Sequence, residues 1–309
     1  MAEPIEMLPR GLNSDRAPMV TIPDDVARIA TDRLGTFFEA VSAIDRSALA
    51  ADFLDARKSQ KRAEILERYV PLHAKKVLEV GSGFGTNLAE WIKRFDIDGY
   101  GIEPGTVGFD SAVHASRRLF EANGLDPDRI TNASGEALPF DDESFDVVYS
   151  ANVLEHTDNP ELVVGESLRV LRRGGLFHME MPNFLSYFEG HYMIVQPPLV
   201  WKWMLPVWVR LFGRDPEFAR TLNTQINPNW CRSVAGRMRR HYDVTVLSLG
   251  EDVFVDRLSR RFEFETAIVA SRLGRVMSAV RMLNVANWIG RSIVLLRGHY
   301  PIYFTMRKN

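Results

Sequence analysis

Short apolar runs alternate with amphipathic stretches along most of the chain. Val77 to Val80 reads as a strand that is buried in a parallel sheet, and Asn87 to Lys93 has the spacing of a helix. The alternation recurs downstream and predicts seven strands, with helices between the first five. The predicted strands are Lys76–Val80, Gly99–Glu103, Ile130–Ala133, Phe145–Ala151, Gly175–Met181, Tyr242–Leu249 and Tyr300–Met306. This order predicts an open α/β sheet that binds its ligand at the carboxyl ends of the strands.

The same patterning divides the rest of the chain. Residues 1–22 are rich in proline and polar residues without periodicity, which predicts a loose segment. Asp24 to Val41 and Ala50 to Val70 carry apolar residues at helical spacing and predict N-terminal helices. The predicted units are a flexible N-terminus at 1–22, N-terminal helices at 23–70, an α/β core at 71–182, an aromatic insertion at 183–240, and closing strands with a basic helical insertion at 241–309.

Three alternating glycines follow the first predicted strand. Gly81, Gly83 and Gly85 lie between strand and helix, where a missing side chain lets the backbone turn sharply and approach a ligand. A dinucleotide-binding turn has the spacing G-x-G-x-x-G and would need its third glycine at Thr86. The observed pattern is instead acidic-x-Gly-x-Gly-x-Gly, beginning at Glu79. The turn is therefore typical of a site for a nucleotide-like ligand other than a dinucleotide.

This pattern and three later motifs resemble those of class I S-adenosylmethionine-dependent methyltransferases. An acidic residue, Glu103, closes the next strand, and the later motifs are residues 134–140 (SGEALPF), 144–156 (SFDVVYSANVLEH) and 171–177 (LRRGGLF). They follow the family order and are most similar to the type 11 subgroup, over about residues 65–183 and a closing strand. The resemblance implies a Rossmann-like, seven-stranded, mostly parallel sheet with helices on both faces, an N-terminal helical cover and a lid insertion. It also implies S-adenosyl-L-methionine as cofactor and S-adenosyl-L-homocysteine as product.

The resemblance also assigns the cofactor-binding residues. It implies that Glu103 binds both ribose hydroxyls, that residues 134–138 lie against the adenine, and that the end of the fourth strand lies beside the methionine moiety. Many relatives carry aspartate where this chain has Ser134, whose hydroxyl is a weaker, uncharged acceptor. Glu136 is either its substitute or a solvated loop carboxylate. The residues implied to bind the cofactor are Glu79, Gly81, Ser82, Gly83, Gly85, Asn87, Glu103, Ser134, Gly135, Glu136, Ala151 and Asn152.

A long aromatic insertion separates the fifth and sixth predicted strands. Connections of this length in a compact domain usually carry function, and this one directly follows a strand whose carboxyl end faces the cofactor. It predicts the acceptor pocket, with an aromatic packing unit as the alternative. The residues predicted to bind the acceptor are Tyr187, His191, Tyr192 and Trp201. The insertion also resembles a branch of these methyltransferases found among bacterial glycan and glycolipid biosynthesis enzymes, which implies a sugar hydroxyl on a lipid-linked or nucleotide-linked carrier as the acceptor.

Methyl transfer requires the acceptor to be aligned with an already activated methyl group and to lose a proton. A hydroxyl acceptor needs a general base with a pKa near neutrality, for which histidine is best suited. His191 at the start of the insertion is the favoured base, and His156 after the fourth strand is the second candidate. Catalysis without a single base stays open. The alternative function is a methyltransferase-fold protein that binds the cofactor or a membrane partner without catalysis.

Other chemistries lack the residues that they need. In place of the Asp/Asn-Pro-Pro-aromatic motif of amino-methylating nucleic-acid enzymes the chain has residues 151–154 (ANVL). Cytosine C5 enzymes use a Pro-Cys nucleophile, whereas the single cysteine, Cys231, follows Trp230. Metal-dependent O-methyltransferases place carboxylates at the ends of strands four and five, near which this chain has Asn152 and Asn183. The sequence therefore predicts neither a nucleic-acid substrate nor a metal site.

Charge is unevenly distributed along the chain. Residues 1–200 hold 20 Lys and Arg against 32 Asp and Glu, whereas residues 201–309 hold 18 against 8. The basic C-terminal part indicates either an anionic partner, such as a phosphate-bearing acceptor, lipid headgroups or nucleic acid, or pairing with the acidic part. Residues 193–212 are apolar and contain tryptophans, but prolines and Lys202 argue against a membrane span and leave peripheral contact as the alternative. Without a signal-peptide pattern, we expect a cytoplasmic protein, with contact at the inner membrane face left open.

Overall fold

The computed structural model describes residues 17–38, 46–105, 110–196, 202–260 and 286–309. Its strands are β1 (Lys76–Val80), β2 (Asp98–Ile102), β3 (Ile130–Thr131), β4 (Phe145–Ala151), β5 (Leu171–Met181), β6 (Phe188–Glu189), β7 (Ile194–Val195), β8 (Val244–Ser248) and β9 (Ile302–Lys308). Its helices are α1 (Asp24–Phe38), α2 (Arg46–Phe53), α3 (Ala56–Leu66), α4 (Thr86–Phe95), α5 (Asp110–Ala122), α6 (Pro160–Val170), α7 (Met204–Leu211), α8 (Glu217–Thr221), α9 (Pro228–Met238), α10 (Glu251–Arg260) and α11 (Ala286–Leu295). Short 3₁₀-helices span Pro127–Arg129 and Leu154–His156.

One seven-stranded sheet has the strand order β3-β2-β1-β4-β5-β9-β8. Strands β1 to β5 pair in parallel, and β9 runs antiparallel to both β5 and β8. The chain fills the sheet outward from β1 in one direction and from β4 in the other, so the strand order reverses between β1 and β4. In open α/β sheets, ligands bind at the carboxyl ends of the strands beside such a reversal. The predicted seven-stranded, mostly parallel sheet is confirmed.

The boundaries of several strands differ from the predicted ones, most of all for the fifth strand. The fifth strand begins at Leu171 rather than at Gly175, because the chain continues as a strand through the two glycines. Gly174 adopts a φ of +76°, and the register with β4 shifts between Phe145 and Val147. The glycine pair therefore forms an irregularity inside the strand instead of its boundary.

The N-terminal region packs on the helices of one sheet face. The predicted second helix is divided into α2 and α3, because Asp55 caps the start of α3 by accepting a hydrogen bond from the backbone N–H of Arg57. Residues 17–22, predicted to be loose, are tied down: the backbone N–H groups of Met19 and Val20 donate to the buried carboxylate of Glu90 in α4. Residues 1–16 lie outside the described part of the chain.

The insertion between β5 and β8 is part of the main hydrophobic core. It consists of the β6–β7 hairpin and helices α7 to α9. Tyr192, Leu205 and Val209 are fully buried and belong to the same apolar cluster as residues of β4 and β5. The segment predicted as a lid is thus anchored by its own core residues. Its role as the acceptor pocket stays a prediction.

Candidate functional site

The three-glycine turn after β1 is strongly bent. Gly81, Gly83 and Gly85 have φ values of +74°, +53° and +77°, which side-chain-bearing residues rarely adopt. A Cβ on Gly81 would lie 2.2 Å from Cγ2 of Val153, so the backbone has room there only without a side chain. At Gly83, by contrast, no heavy atom of the described residues lies within 4 Å of where a Cβ would be. The turn therefore leaves open space above Gly83.

Two buried carboxylates flank this turn. One oxygen of Glu103, just after β2, accepts a hydrogen bond from the backbone N–H of Gly83 at 2.9 Å. Glu79 in β1 accepts one from the side-chain amide of Asn87 at 2.8 Å. Burial raises the pKa of Glu79 to about 8 and the pKa of Glu103 to about 7. Both carboxyl groups are therefore poised for a ligand that supplies hydroxyl donors or positive charge.

The turn also holds buried polar atoms without protein partners. Among the described residues, the hydroxyls of Ser82 and Thr86 and the side-chain oxygen of Asn87 are buried and make no hydrogen bond. Buried polar groups are nearly always paired, so such atoms point to a polar ligand. Together with the open space at Gly83, they fit the cofactor that the sequence implies.

The buried carboxyl group of Glu79 leads to a pH-dependent stability. Its pKa is higher in the folded protein than the ordinary value of 4.5, so it stabilises the fold below about pH 4.5, and this contribution is lost as pH rises toward 8. Urea unfolding of ligand-free protein should show Glu79→Gln gaining on wild type by on the order of 4 kcal/mol between pH 5 and pH 9. Glu121→Gln, on the exposed side of α5, should show no such trend, and parallel pH profiles for Glu79→Gln and wild type would refute the burial argument.

The loop predicted to face the adenine is held by its own hydrogen bonds. The Ser134 hydroxyl accepts from the backbone N–H of Glu136 at 3.2 Å. The Glu136 carboxylate accepts from the backbone N–H of Asn159 at 2.6 Å, at the start of α6. A Cβ on Gly135 would lie 2.9 Å from the Val80 side chain, so the loop packs against the end of β1. Glu136 is thus neither simply solvated nor free, and its role beside the adenine stays a prediction.

The segments that follow β3 and β4 carry two further polar anchors. Asn152 adopts a φ of +54°, and its backbone N–H donates to the carbonyl of Glu180 in β5, which fixes the chain just after Ala151. The side-chain oxygen of Asn132 accepts from the backbone N–H of Gly105 at 2.8 Å and holds the chain that leaves Glu103. Sequence reasoning missed Asn132, because a single asparagine in a loop carries no distinctive signal.

The N-terminal helices reach the same edge of the sheet. Nε of Arg62 in α3 lies 3.7 Å from Oε2 of Glu180, one residue before the end of β5. In the adjacent helix pair, the indole N–H of Trp91 in α4 donates to the carbonyl of Ser59 at 2.7 Å. Helix α3 therefore lies near the carboxyl end of β5, and a cover over the cofactor cleft by the N-terminal helices stays a prediction.

The two histidines predicted as alternative bases lie together around one buried glutamate. The side chain of Glu155 is fully buried, and its Oε1 lies 3.8 Å from Nε2 of His156 and 3.7 Å from Nε2 of His191. The other ring nitrogen of His191, Nδ1, is 2.6 Å from Oε1 of Glu189 in β6. The ring of Phe218 in α8 packs against both imidazoles, with centroid distances of 5.6 and 5.4 Å. We call Glu155, His156 and His191 the histidine cluster.

The two imidazoles of the histidine cluster differ in charge. Burial would lower the pKa of His191, but the carboxylates of Glu189 and Glu155 outweigh it and raise the pKa to about 10. Burial lowers the pKa of His156, and the Glu155 carboxylate offsets this only in part. His191 therefore keeps a proton at neutral pH, whereas His156 is neutral there. A general base must be unprotonated, so this arrangement favours His156 over His191, although the sequence favoured His191.

Of the other residues predicted to bind the acceptor, Tyr192 is buried and Tyr187 is exposed. Tyr192 is fully buried, and its hydroxyl donates to the carbonyl of Asp215 and accepts from the backbone N–H of Ala219, so it holds the wall of the histidine cluster. Tyr187 is 43% exposed at the protein surface. Trp201 lies outside the described residues. Contact between any of these residues and the acceptor stays a prediction.

The described residues include part of the surfaces that were predicted to contact partners. Trp203, Val207 and Leu211 are exposed at helical spacing along α7, where the sequence left peripheral membrane contact open. In the described ranges no helix is both long enough and apolar enough to cross a membrane. Within the basic C-terminal part, Arg237 forms a two-point ion pair with Glu161 of α6 at 2.6 and 2.7 Å, as the charge-pairing alternative requires.

Comparison with known proteins supports the cofactor site that the geometry of the three-glycine turn indicates. Residues 78–179 match the family model described as a methyltransferase domain. An uncharacterised methyltransferase of Mycobacterium sp. (strain JLS) is 38% identical over 117 residues, which is 38% of this chain and 42% of that protein. Another uncharacterised methyltransferase, from Mycolicibacterium vanbaalenii, is 30% identical over 181 residues, which is 58% of this chain and 64% of that protein. The chain spans about half the length of the curated relatives that it matches.

A solved structure shares the fold over nearly the whole chain. The crystal structure of a candidate sarcosine dimethylglycine methyltransferase from Galdieria sulphuraria superimposes with a TM-score of 0.50 and 16% identity. The alignment covers 96% of this chain and 93% of the other. At this identity the likeness concerns the fold alone.

Proposed function

We propose that this chain, which belongs to the class I S-adenosylmethionine-dependent methyltransferases, methylates a hydroxyl group of a small molecule or of a lipid-linked or nucleotide-linked sugar. One observation carries the proposal: the histidine cluster directly follows the strand end that packs on the cofactor turn. Val153, whose side chain lies against Gly81, is two residues before Glu155. The imidazoles of the histidine cluster, which can accept a proton, thus follow the strand end beside the turn.

The residues of this chain would hold the cofactor at the open side of the turn. The Gly83 N–H fixes the Glu103 carboxylate beside that open space, where the carboxylate suits the ribose diol. The unpaired polar atoms of Ser82 and Thr86 lie on the same turn. When bound, the cofactor supplies a methyl group on a positively charged sulfur, already activated for transfer.

The histidine cluster would promote loss of the acceptor's proton. About a third of the His156 side chain is exposed, whereas His191 and Glu155 are largely or fully buried, so His156 is the member that an acceptor can reach. Its lowered pKa keeps the imidazole neutral at physiological pH. The insertion contributes His191 and Phe218, whose rings pack against the ring of His156.

Transfer of a labelled methyl group tests the proposed function. The full chain would be incubated with S-adenosylmethionine that carries a radiolabelled methyl group and with fractions of a bacterial extract. Label that stays on a sugar or other small molecule through mild base treatment, as a methyl ether does, supports hydroxyl methylation, whereas label released as methanol would indicate a methyl ester. Label in amines or nucleic acid would overturn the acceptor class, and cofactor binding without any labelled fraction would favour the non-catalytic alternative.

Cofactor binding gives a prediction that needs no acceptor. Glu103→Ala should weaken binding of S-adenosylmethionine by about 1–3 kcal/mol, or about 5- to 150-fold in Kd, because it removes a charged two-oxygen contact to the ribose. Isothermal calorimetry on the purified chain measures this directly. Glu121→Ala, an exposed carboxylate of α5, serves as the matched control and should bind as wild type does. Unchanged affinity in Glu103→Ala would remove Glu103 from the site.

A further inference from the structure

We propose that the histidine cluster is a binding site for a divalent transition-metal ion. The sequence predicted no metal, because asparagines stand near the ends of β4 and β5 where related metal-dependent enzymes have carboxylates. The structure supplies a carboxylate from a different place. Glu155 lies in the 3₁₀-helix Leu154–His156 that follows β4, and the insertion brings His191 to it.

The spacing of the three side chains suits one ion. Each residue of the cluster offers one ligand atom, and these atoms all lie within 4.8 Å of one another. Metal–ligand bonds of about 2.1 Å at tetrahedral angles place ligand atoms roughly 3.4 Å apart. The distances from Glu155 Oε1 to the two Nε2 atoms are 3.7 and 3.8 Å, so small side-chain adjustments close the site.

The second observation is the state of Glu155 itself. Its side chain is fully buried, and within the described residues neither of its carboxylate oxygens accepts a hydrogen bond. In the metal-free protein the charge of Glu155 is offset by the protonated imidazole of His191, whose Nε2 lies 3.7 Å away, beyond hydrogen-bond distance. A metal ion would take the place of that proton and bind the carboxylate directly. Both candidate ligand nitrogens face the same oxygen of this carboxylate, which is where an ion would complete the arrangement.

Glu189 supports His191 in the way that metal sites usually require. Nδ1 of His191 is 2.6 Å from Oε1 of Glu189, which leaves Nε2 directed toward Glu155. The other oxygen of Glu189 accepts from the backbone N–H of Tyr192 at 2.6 Å, so the carboxylate is itself held. Metal-binding histidines commonly pair their second nitrogen with such a carboxylate, which fixes the ring and raises its basicity.

The ligand types select the class of metal. Two imidazole nitrogens and one carboxylate oxygen suit Zn²⁺, Mn²⁺ or Co²⁺, whereas Ca²⁺ and Mg²⁺ prefer oxygen ligands alone. Three protein ligands leave at least one coordination position open. The partly exposed His156 places that position on the side that solvent or an acceptor can reach.

An ion here deepens the proposed function and rests on it for its catalytic meaning. With the ion bound, His156 would serve as a ligand instead of as the base, and a hydroxyl bound to the ion would lose its proton to water more readily, as metal-bound water does. The hydroxyl oxygen would then form its new bond to the methyl carbon as the sulfur–carbon bond breaks, with S-adenosylhomocysteine as the leaving group. The chemical class of acceptor that this favours is a hydroxyl compound able to ligate a metal, such as a vicinal diol of a sugar.

Metal titration tests the proposal without any turnover. The tag-free full chain would be treated with chelator, dialysed, and titrated with Co²⁺ alone by visible absorption and with Zn²⁺ alone by equilibrium dialysis. We expect one equivalent bound per chain, with Kd in the micromolar range or below. His156→Gln and Glu155→Gln should each weaken binding at least about 100-fold, and Glu189→Gln about 10- to 100-fold. His73→Gln, at an exposed histidine outside the cluster that contacts the Phe95 carbonyl, should bind as wild type.

The outcomes separate the metal from the methyltransferase activity. Absence of stoichiometric binding, or binding that His156→Gln leaves unchanged, would overturn the proposal. His156 is partly exposed, so this variant keeps the test decisive even if Glu155→Gln fails to fold. Calorimetry with S-adenosylmethionine on the same proteins reports the cofactor site independently. Intact cofactor binding with no metal binding would refute the metal alone, whereas metal binding without cofactor binding would refute the proposed function alone.

Discussion

His156→Gln is expected to lower methyl transfer roughly 10²- to 10⁴-fold, the range for losing acid–base assistance, while the Kd for S-adenosylmethionine changes by no more than about twofold. The variant removes the one histidine of the cluster that is both neutral at physiological pH and partly exposed. It leaves the glycine turn and Glu103 untouched. The measurement is incorporation of labelled methyl into the accepting fraction, combined with calorimetry for the cofactor, and His73→Gln is the matched control.

His191→Gln gives the contrast that separates the two candidate bases. It leaves the buried carboxylates of Glu155 and Glu189 without their shared cation, so we expect it to lose about 3–5 kcal/mol of unfolding free energy as well as activity. A rate loss with unchanged stability in His191→Gln, together with a normal rate in His156→Gln, would return the role of base to His191. A normal rate in both variants would exclude the cluster from proton removal.

Gly81→Ala is expected to reduce the free energy of unfolding by about 2–5 kcal/mol. The new Cβ would lie 2.2 Å from Cγ2 of Val153, and overpacking of this kind costs about 1–3 kcal/mol. The φ of +74° adds about 1–2 kcal/mol of left-handed strain for a residue with a side chain. Because Val153 leads into the histidine cluster, the displaced contact should also weaken cofactor binding. Urea unfolding and calorimetry measure the two effects.

Gly174→Ala measures the cost of the backbone strain without a steric clash. Gly174 has a φ of +76°, close to that of Gly81, but no heavy atom of the described residues lies within 4 Å of the position of its Cβ. We therefore expect only the strain contribution of about 1–2 kcal/mol, with unchanged cofactor affinity. Equal losses in the two variants would show that the turn yields to the added methyl group, and that Val153 does not constrain it.

The sheet could be predicted from the sequence because its strands carry local signals. The apolar runs at Val77 to Val80 and Phe145 to Ala151 are compatible with buried parallel strands, and the acidic residues that close β1 and β2 mark the ligand edge. The start of β5 was predicted at Gly175 instead of Leu171, because a glycine with a left-handed φ, such as Gly174, can either end a strand or distort it. Local patterns therefore determined most of the core.

The histidine cluster could not be predicted in the same way. His156 and His191 appeared as competing candidates because nothing in their spacing shows that the insertion folds back onto the end of β4. Glu155 was a polar neighbour within a motif, and Glu189 was one more residue in an aromatic segment. Their charges act on the histidines only through tertiary contacts, so neither the raised pKa of His191 nor the shared carboxylate has a sequence signature.

The position of β9 between β5 and β8 imposes an order on folding. Met181 at the end of β5 pairs with Ile302, more than a hundred residues downstream, and among the described strands β8 pairs with β9 alone. Until the last strand arrives, the hydrophobic β5 has an open edge able to pair with other chains. Such long-range pairing slows the search for the native state, so we expect chains in which β9 is not yet paired to aggregate through this edge.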